Sequence, residues 1–253
     1  MILITNDDGY QAKGIGVVAE LARQLDERVV VLAPDGARSG QSSALSVNNP
    51  IVYHPISNQG GIEVYACSGT PVDCVKLAFS GVLPNWERPK MVISGINHGS
   101  NSSINVIYSG TMGAALEGCL YGVPSVGLSI CNHDLQADFS HVVEAFAAIL
   151  KEVYTNGLPE GVCLNVNAPK EGPVAGMKVC RQASGRWSEE FMASPTPRGY
   201  DCYWLTGKFS NVETGSDDTD EYALQNGYIS INPVHTDMTH YASMATLSQR
   251  FLK

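Results

Sequence analysis

The sequence lacks the patterns that place a protein in a membrane or in an oxidising compartment. It has no apolar run of transmembrane length, and its first residues carry neither a charged n-region nor an apolar h-region. Its 7 cysteines include no C-x-x-C pair, and an odd number of thiols cannot all form disulfides within one chain. Reduced, mostly buried thiols are therefore favoured over a disulfide or zinc framework. We expect a cytoplasmic protein with no membrane partner.

Positive charge is also scarce. The 25 Asp and Glu residues outnumber the 16 Lys and Arg residues, which gives a formal net charge of −9. A general nucleic-acid binder would show a basic surface, so we expect no nucleic-acid partner. Small phosphorylated substrates are compatible with this charge, because a bound metal ion can override an acidic field locally.

Two common nucleotide-binding motifs are absent. The chain contains no P-loop of the form G-x-x-x-x-G-K-[ST], and no G-x-G-x-x-G follows a predicted strand. Sequence repeats and low-complexity segments are missing too. The composition, 44% hydrophobic and 16% charged, is that of an ordinary globular protein, and 253 residues suffice for one large domain or a core with an appended lobe.

The first part of the chain alternates between strand and helix patterns. Short apolar runs predict buried strands at residues 2–4, 29–32, 91–93 and 126–128. Helical spacing of apolar residues predicts helices at 15–25 and 111–120, and a third that Ser140 caps and Asn156-Gly157 ends. A capping box at Thr70, with Pro71 and Asp73 behind it, opens another helix. This alternation predicts an α/β fold with a doubly wound, mainly parallel sheet.

The pattern changes from about residue 162 onward. Short strand-like runs at 162–166, 177–181, 203–206 and 228–231 are separated by connections rich in Gly and Pro. Residues 213–221 carry five carboxylates, which we interpret as a solvated loop rather than a metal site. We therefore divide the chain into a catalytic core at 1–160 and a smaller β-rich region at 161–253. The second region would carry an oligomerisation arm and complete part of the core.

The first predicted strand ends in Asn6-Asp7-Asp8-Gly9. Two adjacent carboxylates at the end of a buried strand repel each other, and a bound cation would offset the repulsion. The crevice at the carboxyl ends of parallel strands is where α/β sheets place ligands. Taken alone, the segment is equally compatible with an exposed turn, because these residue types favour turns for local reasons.

Four polar segments follow predicted strands or open a predicted helix. They are Asp7-Asp8, the run from Arg38 to Ser43, the run from Ser94 to Asn101, and Tyr108-Ser109-Gly110-Thr111. In a parallel sheet all of them would meet at one edge. Their carboxylate, hydroxyl and amide oxygens suit Mg²⁺ or Mn²⁺, while glycine backbone and a helix N-terminus suit an anion. Together they indicate a metal-assisted phosphohydrolase site.

These segments also carry a family resemblance. Asn6-Asp7-Asp8-Gly9, Ala33-Pro34-Asp35 with Arg38-Ser39-Gly40, Gly69 to Val75, Ser94-Gly95-Ile96-Asn97 and Tyr108-Ser109-Gly110-Thr111 occur in the order seen in the SurE family. The likeness continues through Gly227 to Pro233, so it covers nearly the whole chain. The resemblance implies a Rossmann-like core and a smaller C-terminal region that exchanges elements between subunits of a homodimer or homotetramer.

The resemblance also implies an activity and a site. Family members are metal-dependent nucleotidases that release phosphate from nucleoside 5′- and 3′-monophosphates, and some act on short polyphosphate. One divalent ion per subunit, Mg²⁺ or Mn²⁺, would be held by Asp7, Asp8, Ser39 and Asn97. The phosphate would be surrounded by Asn101, Ser109, Gly110 and Thr111.

The expected reaction is a direct in-line attack by metal-activated water, with Asp7 or Asp8 as proton acceptor. His98 departs from the family pattern, which has a small residue there; we favour a place at the edge of the site over a role as general acid. Two rival functions stay open: a phosphatase with an aspartyl-phosphate intermediate, and a non-catalytic nucleotide sensor. Trp187, Tyr200 and Trp204 could stack on a base, although packing is their commoner role.

Overall fold

A computed structural model describes residues 1–213 and 215–252, and within these ranges a nine-stranded sheet forms the centre of the molecule. Its strands, in chain order, are β1 (Ile2–Thr5), β2 (Val29–Pro34), β3 (Tyr53–Gln59), β4 (Ile62–Cys67), β5 (Met91–His98), β6 (Ser125–Ile130), β7 (Val162–Ala168), β8 (Gly176–Val179) and β13 (Tyr228–His235). Two small ribbons pair β9 (Gly185–Ser188) with β12 (Lys208–Asn211), and β10 (Phe191–Ser194) with β11 (Cys202–Leu205). The predicted strands near residues 2, 29, 91 and 126 are confirmed.

The strand order is β3-β4-β2-β1-β5-β6-β7-β13-β8. Strands β4, β2, β1, β5, β6 and β7 run parallel, whereas β3 and β13 run antiparallel to their neighbours β4 and β7. The chain builds outward from β1 to β2 and β4, then returns to β5 beside β1 and builds toward β7. The order therefore reverses between β1 and β5, and the crevice at their carboxyl ends is the ligand position expected of such a sheet. The predicted α/β class with a doubly wound, mainly parallel sheet is confirmed.

Six helices cover the sheet or follow it in the described chain: α1 (Lys13–Arg23), α2 (Pro71–Phe79), α3 (Gly110–Leu120), α4 (Val143–Asn156), α5 (Asp220–Gln225) and α6 (Tyr241–Phe251). Alternate residues of β1 face opposite layers. Ile2 and Ile4 pack in one buried cluster with Val18 of α1 and Phe146 of α4. Leu3 packs on the other side in a cluster that includes residues of α2 and α3. The sheet is thus buried on both faces, which explains why its central strands read as continuous apolar runs.

The helix boundaries confirm two predicted caps and correct a third. Thr70 caps α2 in a complete capping box, and Gly157 ends α4 with a φ of 74°. The predicted Ser140 cap is wrong. Helix α4 begins at Val143 after Val142, which makes no side-chain cap. The Ser140 hydroxyl instead donates to the Asp138 carboxylate at 2.6 Å, so it belongs to a local turn before the helix.

The C-terminal segments are divided between the central sheet and the exposed surface. Strands β7, β13 and β8 belong to the central sheet, whereas Phe191, Met192 and Trp204 of the ribbon β10–β11 are exposed. Helix α6 buries none of its residues. The division of the chain near residue 160 stays a prediction. Among the described residues, no helix is both long enough and apolar enough to cross a bilayer.

Asp26, just after α1, is expected to contribute to stability in a pH-dependent way. Burial opposes its ionisation. The ionised form is stabilised more strongly by hydrogen bonds from the Arg28 backbone, the Tyr154 hydroxyl and the Lys90 ammonium, so the pKa falls from 3.8 to about 2. Its side chain is 8% exposed, so solvent screens these interactions little. The stabilisation is complete above about pH 4 and is lost as the pH falls through about 2. We expect Asp26→Asn to lower the free energy of unfolding at pH 7 by about 2 kcal/mol.

Urea titrations of the wild-type protein and the Asp26→Asn variant at pH 7 and pH 3 check this expectation. The difference between the two proteins should shrink at the lower pH. A variant as stable as wild type at pH 7 would show that these hydrogen bonds contribute no net stability.

Candidate functional site

A polar cavity of about 550 Å³ opens at the carboxyl ends of β1 and β5, where the strand order reverses. Six of the residues predicted from the sequence line it: Asp7, Ser39, Asn97, His98, Asn101 and Ser109. A neighbouring cavity of about 560 Å³ shares Ser109, but no carboxylate is among its described lining residues. The polar cavity is therefore the candidate site.

Asp7 is the buried anionic centre of this cavity. Its side chain is 4% exposed, and the Thr111 hydroxyl donates to its Oδ1 at 2.7 Å. Burial raises the pKa of Asp7 from 3.8 to about 6; the Thr111 hydrogen bond opposes this rise and the neighbouring Asp8 charge adds to it. Within the described chain, no Lys, Arg or His forms a salt bridge with either carboxylate. A buried negative charge without a cationic partner is costly, so the site favours a cation.

Asp8 lies beside Asp7 at the end of β5. Its Oδ2 accepts a hydrogen bond from the backbone N–H of His98 at 3.2 Å. Burial raises the pKa of Asp8 as well, against the opposing effect of the His98 hydrogen bond and charge. The His98 ring packs edge-on against Phe139 with 5.5 Å between centroids, and its two nitrogens have no partner among the described residues. His98 is one of the residues that line the cavity, and its place at the edge of the site stays a prediction.

The remaining predicted metal ligands present suitable oxygens. The side-chain amide of Asn97 donates to the Gly99 carbonyl at 2.7 Å, which leaves Oδ1 available to a cation. Ser39 is exposed in a loop that the Arg38 N–H ties to the Asp7 carbonyl at 2.7 Å. Two carboxylates, an amide oxygen and a hydroxyl form a hard donor set that fits Mg²⁺ or Mn²⁺. The described chain has no group of three or more His, Cys, Asp or Glu placed to hold a metal, and the predicted set contains only two such residues.

Helix α3 points its N-terminus at Asp7. Ser109 caps the helix by accepting from the Met112 N–H at 3.0 Å, and its own hydroxyl hydrogen remains free to be donated. A Cβ at Gly110 would lie 3.0 Å from the Asp7 Cβ, so a larger residue there would press on the Asp7 side chain. Thr111 is fully buried, and its hydroxyl donates to the Asp7 carboxylate and so helps to position it. The helix terminus provides partial positive charge beside the carboxylate.

Asn101 is held by three polar side chains from the neighbouring strands. Its N–H donates to the Asn167 side chain at 2.7 Å, and its carbonyl accepts from Asn165 at 2.8 Å. Its side-chain amide donates to the Ser129 hydroxyl at 2.8 Å, which leaves a second amide hydrogen for a ligand. Sequence reasoning missed this network. Its only sequence signal is the polar residues that alternate with apolar ones in β6 and β7.

The acidic segment contains site residues that the sequence did not reveal. Asp217 and Asp218 are exposed, as expected of a solvated loop. Asp220 departs from that expectation: it is fully buried and accepts from the N–H groups of Ser103, Ala183 and Glu221 and from the Asn232 amide. Glu221 lines the cavity, and burial raises its pKa.

Aromatic residues of the second region also reach the cavity. Trp187 and Phe209, paired across the ribbon β9–β12, line it, whereas Tyr200 and Trp204 are exposed on other segments. Trp187 and Trp204 both lie in four-residue strands, and neither strand's own sequence shows whether its tryptophan reaches the cavity. Only the folded chain distinguishes the two.

Comparisons with known proteins agree on one family. A family model described as Survival protein SurE matches residues 2–189. A protein named 5′-nucleotidase SurE from Flavobacterium psychrophilum is 48% identical over 249 residues, which cover 97% of this chain and 95% of the relative. Another protein of that name, from Phocaeicola vulgatus, is 47% identical over 247 residues, covering 98% and 95%.

A solved structure supports the same assignment. The crystal structure of the SurE protein from Aquifex aeolicus superposes with a TM-score of 0.82 at 33% sequence identity and covers 98% of both chains. The family model spans most of the chain and the relatives align over almost all of it. This chain belongs to the SurE family.

Proposed function

We propose that this protein is a divalent-metal-dependent 5′-nucleotidase that hydrolyses nucleoside monophosphates to nucleoside and phosphate. The observation that carries the proposal is the buried Asp7 carboxylate, which lacks a salt-bridge partner in the described chain and faces a cavity bordered by a helix N-terminus. The names of its relatives, 5′-nucleotidase SurE, support the same activity. Activity on 3′-monophosphates and a side activity on short polyphosphate are part of the proposal.

Asp7, Asp8, Ser39 and Asn97 would hold one Mg²⁺ or Mn²⁺ ion in each subunit. When bound, the ion supplies Lewis-acid chemistry: it makes a water molecule more acidic and neutralises phosphate oxygens. The unpaired buried charge of Asp7 and the available Oδ1 of Asn97 support this assignment.

The protein groups around the ion would orient the substrate and handle the proton. Asn101 and Ser109 each have a hydrogen to donate to phosphate oxygens, and the first N–H groups of α3, at Gly110 and Thr111, add partial positive charge there. Water would attack phosphorus in line with the bond to the nucleoside oxygen, and Asp7 or Asp8 would accept its proton. The bond from phosphorus to that oxygen breaks, the oxygen takes up a proton from solvent water, and the neutral nucleoside leaves.

Phosphate release from a substrate panel tests the proposal. The panel contains nucleoside 5′- and 3′-monophosphates and short polyphosphate, each with Mn²⁺, Mg²⁺ or EDTA. We expect release from the 5′-monophosphates with at least one metal and none with EDTA. A folded, metal-binding protein that releases no phosphate from any nucleotide would contradict nucleotidase activity and favour the sensor. A trapped phosphoenzyme would instead favour the aspartyl-phosphate route.

The proposal also covers the domain organisation, the oligomeric state and the cellular compartment of the protein. We assign residues 1–160 to a catalytic core and 161–253 to a region that carries an oligomerisation arm. The exposed apolar residues of β10–β11 support a homodimer or homotetramer, because such patches mark contact surfaces. All seven cysteines are free thiols, which supports a reducing compartment such as the cytoplasm.

A further inference from the structure

The candidate cavity extends well beyond the groups assigned to metal and phosphate. Its volume of about 550 Å³ lies in the range of sites for whole small molecules, about 300–1,000 Å³. One part is lined by the predicted metal and phosphate residues. The rest of the lining includes six residues that play no role in the chemistry just described: Asn105, Tyr108, Trp187, Phe209, Glu221 and Leu224. The space beside these residues is left for the group that the phosphate is attached to.

An aromatic wall with a fixed orientation borders this space. The Trp187 and Phe209 rings meet edge to face with 5.7 Å between centroids, and the Trp187 indole N–H donates to the Asn105 side-chain oxygen at 2.9 Å. A Cβ at Gly207 would lie 2.7 Å from the Trp187 ring, so the backbone at Gly207 packs closely on the indole. Flat aromatic faces of this kind stack on nucleobases without requiring a particular base.

Glu221 places a carboxylate in the same space. Its Oε1 accepts from the Ser102 hydroxyl at 2.5 Å, and no described residue donates to Oε2. Ser102 directly follows Asn101, and the buried Asp220 anchors the start of α5 through four hydrogen bonds. Glu221 is therefore held close to the phosphate residues by groups on both sides.

A carboxylate repels phosphate, so Glu221 is unsuited to bind the reacting group itself. It is suited to accept hydrogen bonds from neutral hydroxyls, and carboxylates bind the ribose hydroxyls of dinucleotides in this way. An aromatic face and a carboxylate next to a phosphate site match the base and the ribose of one nucleotide.

We propose that Glu221 and Trp187 form a nucleoside subsite in which Glu221 accepts a ribose 2′-hydroxyl and Trp187 stacks on the base. The preferred substrate class is then ribonucleoside monophosphates rather than 2′-deoxyribonucleotides or phosphate esters without a sugar. This inference rests on the proposed nucleotidase function.

The test compares kcat/KM for a ribonucleoside 5′-monophosphate, its 2′-deoxy counterpart and p-nitrophenyl phosphate. A charge-assisted hydrogen bond corresponds to a preference of about 10- to 100-fold for the ribonucleotide. Glu221→Ala should abolish that preference and lower the ratio of ribonucleotide to p-nitrophenyl phosphate turnover by a similar factor. Glu221→Gln keeps an acceptor but loses the charge, so it should retain part of the preference.

Trp187→Ala should raise KM for both nucleotides by about tenfold and leave the ratio of ribose to deoxyribose turnover unchanged. Asp217→Asn is the matched control, because it removes a carboxylate from the same segment at an exposed position outside the cavity. It should behave like wild type on all three substrates.

Several results would overturn the subsite. One is equal turnover of ribonucleotide and deoxyribonucleotide by the wild-type enzyme. Another is a preference for the ribonucleotide that survives Glu221→Ala. A third is a loss of kcat/KM in Glu221→Ala that is as large for p-nitrophenyl phosphate as for the ribonucleotide, which would assign Glu221 to the chemistry common to all substrates. Hydrolysis of p-nitrophenyl phosphate without hydrolysis of any nucleotide would instead reject the nucleotidase function itself.

Discussion

Replacing Asp8 by Asn is expected to lower kcat/KM for nucleoside monophosphates by about 10³-fold while the protein stays folded. Asn has the same shape, and its side-chain oxygen can still accept from the His98 N–H that Asp8 now binds at 3.2 Å. What the variant loses is a negative charge beside Asp7. In the proposed mechanism that charge helps to hold a divalent cation or takes a proton from the attacking water.

The measurement combines phosphate release, thermal unfolding and Mn²⁺ binding in wild type, Asp8→Asn and the exposed control Asp217→Asn. Weaker Mn²⁺ binding together with lost turnover would make Asp8 a ligand. Lost turnover with unchanged Mn²⁺ affinity would make it the proton acceptor. Wild-type turnover in Asp8→Asn would remove Asp8 from the site.

Replacing Asp7 by Asn is expected to stabilise the metal-free protein at neutral pH although it inactivates the enzyme. Asp7 is 4% exposed and its pKa rises from 3.8 to about 6, so its ionised form is disfavoured in the folded chain. The penalty is nearly absent below about pH 4, grows between about pH 4 and 6, and is complete at pH 7. A neutral amide avoids it and can still accept from Thr111. We expect the free energy of unfolding to rise by up to about 3 kcal/mol.

Urea unfolding in EDTA at pH 7 and pH 4 measures this difference, and it should shrink at pH 4. Adding Mn²⁺ should stabilise wild type and leave Asp7→Asn unaffected, because a ligand stabilises the state that binds it. An Asp7→Asn protein less stable than wild type in EDTA at pH 7 would show that the buried carboxylate is not a source of instability. Asp217→Asn again serves as the control for loss of an exposed charge.

Local sequence patterns were reliable where short-range physics decides the structure. The apolar runs of β1 and β5 become buried strands because both faces of the sheet are covered. Thr70 caps the start of α2 and Gly157 ends α4 as expected, because capping and positive φ depend on neighbouring residues. Ser140 had the same local features as a cap, yet its hydroxyl donates to the Asp138 carboxylate two residues earlier, which takes it away from the helix.

Some site residues could not be found this way, because their roles arise from contacts between distant segments. The buried Asp220 carboxylate accepts hydrogen bonds from the N–H groups of Ser103 and Ala183, which are 117 and 37 residues away in the chain. In sequence it stands in an acidic run that looks solvated. The residues around Trp187 and Trp204 do not show which of the two reaches the cavity, and only the position of the β9–β12 ribbon brings Trp187 there.

The sequence by itself determined the α/β class, the core strands of the parallel sheet and the chemical character of the site, because hydrophobic period and the polar residues at strand ends are local properties. Tertiary structure decided which of those polar groups meet and what else surrounds them. The reversal of strand order between β1 and β5 brings Asp7, Asn97 and the start of α3 together. Long-range hydrogen bonds then place Glu221 beside them, because burying Asp220 requires donors that only the folded chain supplies.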